Sequence, residues 1–83
     1  MKLLYFAWLR VRIGRAEESV ELPAGVANVT ALLDWLKTRG PGFAEALKDT
    51  RIVRVAVNQR YVAGDHPVKA GDEVALFPPV TGG

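Results

Sequence analysis

Val29, Leu32, Leu33 and Leu36 recur at the spacing that puts them on one face of an α-helix. Asn28 precedes them as an N-cap, and Gly40-Pro41 follows as a stop, glycine just past the end and proline after it. No other stretch carries so sustained a helical stripe. The remaining apolar runs are β-like. Lys2–Leu9 is apolar on both faces, as in a central strand. After a turn at Gly14, Glu17–Leu22 alternates, with Glu17, Ser19 and Glu21 on one side and Val20 and Leu22 on the other. These two strands read as a hairpin. Pro23 and Gly25 break the pattern before the helix, and Phe43–Leu47 reads as a short second helix or turn. Ile52–Val57 (IVRVAV) is strongly β and is followed by a turn at NQR. A short strand starts at Tyr61 and Val62 and is interrupted by Gly64–Pro67. After the turn KAGD (Lys69–Asp72), the last strand is Glu73–Phe77, which Pro78 ends because proline cannot donate to a ladder.

The predicted order is β-β-α-β-β-β. It is an α+β fold, a mixed sheet of about five strands with one main helix packed across one face. The first and last strands, being the most apolar, form the central pair. One helix covers one face only, so the apolar members of the other face must meet solvent or another protein.

With 83 residues and no internal repeat or linker, the chain makes one small domain, residues 1–77, followed by an extended tail, residues 78–83. The absence of cysteine excludes a disulfide framework, a thiolate zinc site and thiol chemistry on its own side chains. The one histidine, His66, stands between Asp65 and Pro67 and reads as a surface turn residue, so no metal site and no Ser/His/Asp set is expected. Asp65, Asp72 and Glu73 cluster, but Asp72 lies in a Gly-Asp turn, where it bonds nearby backbone. Gly40-Pro41-Gly42 is not followed by a helix N-terminus with a lysine, as a phosphate loop would be. The net charge of +2 is scattered; its densest cluster, Arg10, Arg12 and Arg15, lacks the interleaved stacking aromatics of a nucleic-acid binder. The opening MKLLYFAWLRVR is charged too soon for a membrane span and lacks a signal-peptide cleavage site. The expectation is a cytoplasmic protein, not an enzyme on its own, with no nucleic-acid or membrane partner.

What remains is the ending, ALFPPVTGG. Pro78 and Pro79 fix φ and favour an extended stem, and Pro78 to Gly83 reaches roughly 18–20 Å when extended. Gly82 and Gly83 let the last peptide enter a slot too narrow for a side chain. The one group there with usable chemistry is the Gly83 carboxylate, inert until activated as an adenylate or acyl phosphate. Read from the residues alone, the ending is either such a stem and tip or a frayed terminus behind a strand stop.

The segments VNQRYV (Val57–Val62) and DHPVKAGDEVALFPPVTGG (Asp65–Gly83) resemble the family of small, sulfur-carrying subunits of molybdopterin synthase. LLYFAWLR (Leu3–Arg10) also resembles that family's first strand and its aromatic-Ala-x-x-Arg run. The resemblance covers essentially the whole chain and implies a ubiquitin-like β-grasp fold. It implies that an activating enzyme adenylates the Gly83 carboxylate with ATP and that sulfur then converts it to a thiocarboxylate. No cofactor is held permanently. The tail, Pro78, Pro79, Val80, Thr81 and Gly82, would insert into the large synthase subunit, in a heterotetramer of two large and two small subunits. There Gly83 would give sulfur to precursor Z (cyclic pyranopterin monophosphate), two sulfurs per product from successive carriers. Phe6, Tyr61 and Phe77 fall where the family has apolar interface residues, although Tyr61 replaces a common aliphatic side chain. Arg10 matches a family arginine and is assigned a role with the activating enzyme. Trp8 reads equally as partly buried support or as contact. The rival readings are a carrier for another pathway such as the thiamine type, a ubiquitin-like modifier that forms isopeptides, and a non-covalent interaction module. Thiamine-type carriers tend to lack the Phe-Pro-Pro-Val stem.

Overall fold

The structure, a computed structural model, describes residues 1–79. Its strands are β1 (Lys2–Tyr5), β2 (Glu17–Ser19), β3 (Arg54–Val57), β4 (Arg60–Tyr61) and β5 (Glu73–Phe77). Its helices are α1 (Ala7–Ile13), α2 (Val29–Lys37) and α3 (Pro41–Ala46), with a 3-10 turn at Thr50–Ile52. The five strands form one mixed sheet in the order β2-β1-β5-β3-β4. β1 runs parallel to β5, and the other neighbours are antiparallel. The first and last strands are therefore adjacent at the middle, as their apolarity predicts.

The helix between the strands forms as expected. The Asn28 side chain accepts the Ala31 N–H at 2.8 Å, and Val29, Leu32, Leu33 and Leu36 are buried. They pack on Leu3, Tyr5, Val55, Val57, Val74 and Leu76, which line one face of the sheet.

Elsewhere the expected order needs correction. Lys2–Leu9 is not one strand: the strand stops at Tyr5, and Ala7–Ile13 is helical. Leu9 and Ile13, one turn apart, reach the core, while Arg10, Val11 and Arg12 face solvent. Gly14, with φ 92°, closes α1 by donating its N–H to the Arg10 carbonyl at 2.8 Å. β1 and β2 do pair antiparallel, but a helix joins them rather than a tight turn.

Gly40-Pro41 is not the stop of α2 either. Thr38 caps that helix, and Pro41 occupies the first turn of α3, where its missing N–H costs nothing. Gly42 lets α3 approach α1 closely, since a Cβ there would sit 2.5 Å from the Arg12 carbonyl oxygen. The "one main helix" is thus the longest of three, and α1 and α3 add Leu9, Ile13, Phe43 and Ala46 to the same core. Of the strand pattern Glu17–Leu22, β2 covers Glu17–Ser19, and Val20 extends the pairing by exchanging backbone bonds with Met1 at 2.9 and 3.0 Å, while Ile52 falls in the 3-10 turn ahead of β3.

Candidate functional site

Side chains alternate across a strand, so register decides which residues share the face without helices. Leu4 pairs with Glu17 on β2 and with Ala75 on β5, Ala75 pairs with Ala56 on β3, and Ala56 pairs with Tyr61 on β4. Glu17, Leu4, Ala75, Ala56 and Tyr61 therefore form one row across the whole sheet. Two residues along β5 and β3, Phe77 pairs with Arg54. Leu4, Ala75 and Phe77 are half-buried, and Ala56, although 9% exposed, lies outside the core cluster. Tyr61 is 76% exposed, and its ring lies 5.4 Å from that of Phe77. Such a pair left open to water is the centre of an apolar surface that lacks a cover.

The turn between β3 and β4, bonded to the start of β5, fixes this register. Asn58 and Gln59 have φ of 51° and 70°, the left-handed pair that lets a two-residue turn join β3 to β4. The Asn58 amide donates to Asp72 at 3.0 Å, and its carbonyl accepts the Glu73 N–H at 3.0 Å. Burial of Asp72 alone would raise its pKa, but the Asn58 bond and the Lys69 N–H, 2.9 Å away, outweigh it and hold the carboxyl below the usual range. The sequence VNQ…GDE thus clamps the hairpin to the start of β5 and sets Tyr61 against Phe77. His66 belongs to the adjoining loop, whose carbonyls at His66 and Gly64 accept the Val29 and Thr30 N–H groups at 3.0 and 2.9 Å.

At the far end of the face, Ala7 turns the chain with φ 54°, leaving Phe6 47% exposed. The Phe6 N–H donates to the Leu76 carbonyl at 3.1 Å, so Phe6 stands beside the end of β5. Arg10, one helical turn on, is exposed. Trp8 is half-buried against the core with the Arg12 guanidinium 5.6 Å above its ring.

Phe6, Arg10, Tyr61 and Phe77, the residues singled out as interface, are thus placed at the end where β5 finishes. Pro78 and Pro79 follow there and are half-buried. Val80, Thr81, Gly82 and Gly83 lie outside the described residues. Leu4, Ala56, Ala75 and Arg54 share the face and were not singled out. Only Leu4 had a signal, the two-sided apolarity of the first strand.

Beneath the other face, Glu18 ties the corner together. It accepts from the Tyr5 hydroxyl at 2.5 Å, from Arg39 at 2.7 and 2.9 Å and from Arg15 at 2.9 Å. Arg39 in turn lies 4.8 Å over the Phe43 ring and 5.3 Å over Trp35. Among the described residues no cluster of His, Asp or Glu could hold a metal ion, and no helix is long and apolar enough to cross a membrane. The arrangement places an exposed aromatic pair beside the point where β5 passes into Pro78-Pro79.

Comparison with known proteins agrees with this layout. Residues 3–83 match the ThiS family. The molybdopterin synthase sulfur carrier subunit of Escherichia coli (strain K12) is 42% identical, over 100% of this chain and 99% of its own. A Pyrococcus furiosus protein assigned as molybdopterin converting factor, subunit 1, superposes with a TM-score of 0.76 at 41% identity, covering 95% of each chain. Small archaeal modifier protein 1 of Haloferax volcanii superposes with a TM-score of 0.68 at 28% identity, covering 96% of this chain and 97% of that one. The fold shared with these neighbours is the ubiquitin-like β-grasp.

Proposed function

The chain belongs to the ThiS family, and from that premise we propose that it is the sulfur carrier subunit of a molybdopterin synthase, with Gly83 as its reactive residue. The observation that carries the reading is the placement of the stem. β5 hands the chain to Pro78-Pro79 at the edge of an exposed aromatic patch, so one partner can cover the patch and receive the tail.

The chemistry is acyl activation. A Gly83 carboxylate oxygen attacks the α-phosphorus of ATP on the activating enzyme, and pyrophosphate leaves. Hydrosulfide, the sulfide-level donor, then attacks the acyl-adenylate carbon; AMP leaves and the proton on sulfur passes to solvent, giving a thiocarboxylate. In the large subunit that sulfur passes to precursor Z, and water restores the carboxylate. Each dithiolene takes two such transfers from successive carriers. The chain contributes no general base. Pro78 and Pro79 favour an extended stem, and Val80, Thr81 and Gly82 are the residues that enter the large subunit, glycine adding no side chain to the approach. Phe6, Tyr61 and Phe77 hold the fold against the partner.

Two changes to the tail test this. Deleting Gly83, or appending one alanine after it, is expected to abolish reconstituted molybdopterin formation while leaving the melting temperature unchanged. Full activity in the extended variant would overturn the role of the terminal carboxylate.

The likeness to small archaeal modifier protein 1 favours a second reading, a ubiquitin-like modifier. Lysine-linked conjugates of higher mass, formed with the activating enzyme and ATP, would mark that reading instead.

A further inference from the structure

Arg54 stands beside the docking patch, and no described carboxylate pairs with it. It pairs across the strands with Phe77, and Ala56, two residues on, pairs with Tyr61, so Arg54 shares a face with both aromatics. It is exposed. Arg12, Arg15, Arg39 and Arg51 each hold a carboxylate within 3.0 Å, at Glu45, Glu18, Glu18 and Asp49. The Arg54 side chain makes no hydrogen bond or ion pair among the described residues. On the same face, Glu17 is held by Lys2 at 3.2 Å, and Glu73 lies four residues back along β5, about 13 Å away. Arg54, Phe77 and Tyr61 also line a shallow groove of about 680 Å³ that continues to Val29 and Leu33 on α2.

We propose that Arg54 is a specificity-determining residue of the docking face, read by a carboxylate that the large subunit presents within an apolar surface. The inference rests on the open face being the surface that meets that subunit. Neighbouring side chains across a strand pair stand about 5 Å apart, so a partner that covers Phe77 takes water from Arg54 as well. A guanidinium stripped of water without an acceptor is costly, whereas a carboxylate opposite it compensates and fixes register. An arginine among exposed aromatics is also the composition of an interface hot spot. A related large subunit with an apolar or basic residue at that point is rejected.

The test is isothermal titration of the full chain with its cognate large subunit, at low and high salt, for the parent and for Arg54→Glu, Arg54→Met and Phe77→Ala. Thermal melts check that each variant is folded. The expected result is binding weakened about 10-fold by Arg54→Met and about 100-fold by Arg54→Glu, with the parent's salt dependence reduced in Arg54→Met. If Phe77→Ala weakens binding and both Arg54 variants bind like the parent, the Arg54 assignment is wrong and the docking face stands. If none of the three weakens binding, the docking face itself is wrong. Should Arg54→Glu fail to fold, Arg54→Met decides alone, because methionine keeps the aliphatic stem and loses only the charge.

Discussion

Glu18 connects more of the molecule than any other described side chain. It joins β1 through Tyr5, the segment after α2 through Arg39, and the end of α1 through Arg15. Its side chain is 10% exposed, so removing it leaves Arg39 and the Tyr5 hydroxyl with little water in exchange. Glu18→Ala is expected to cost about 2–4 kcal/mol, read as a lowered urea midpoint at unchanged slope. The same residue sets the acid limit. The Arg39 bond, the largest influence, holds the Glu18 carboxyl below its usual range, against burial, which acts the other way. Asp72 is depressed too. A depressed carboxylate contributes stability that is fully present above the unfolded-state pKa and is lost as pH falls through the folded one. Stability is therefore expected to be flat from neutral pH to about pH 5 and to fall below about pH 4.5. Tyr5 gives the opposite limit: burial and the Glu18 bond raise its pKa, so the unfolded chain ionises first and stability falls above about pH 10. Melting temperature against pH checks both limbs, and Glu18→Gln should flatten the acid one.

At the scale of elements, α1 and α3 lean on each other through Gly42 and the Arg12–Glu45 pair at 3.0 Å. Gly42→Ala drives a methyl group against backbone, which cannot turn aside as a side chain can. It is expected to destabilise by about 1–3 kcal/mol, measured by chemical denaturation. This contact was not legible in the sequence. LLYFAWLRVRI is apolar at nearly every early position, so its helical period, Leu9 to Ile13, is masked by Phe6, Ala7 and Trp8, which continue the look of a strand. The chain breaks instead at Ala7, whose left-handed backbone no residue preference announces. By contrast the start of α2 and both ends of β5 were legible to the residue, because Asn28 caps the one and the KAGD turn and Pro78 bound the other. The docking face was half legible. Phe77 and Tyr61 stood out only through the family resemblance, whereas Arg54 looks like any solvent-facing residue of IVRVAV. Only its pairing with Phe77 tells which side of the sheet it occupies.

At the scale of the whole molecule, the described residues close one side of a five-stranded sheet with three short helices and leave an exposed aromatic pair on the other, with the stem leaving from its edge. A domain this small holds its core with one face and has the second free for partners. On the proposed function, the activating enzyme and the large subunit would both use the same tail and would take the carrier in turn. The central claim is that the carrier's cargo rides on Gly83. Intact mass of the full chain, after incubation with its cognate activating enzyme, ATP and a sulfur donor, tests this most directly. The account predicts a gain equal to one oxygen exchanged for sulfur, located by fragmentation to the C-terminal peptide and absent without ATP. An unchanged mass, with the enzyme shown active on another carrier, would contradict it.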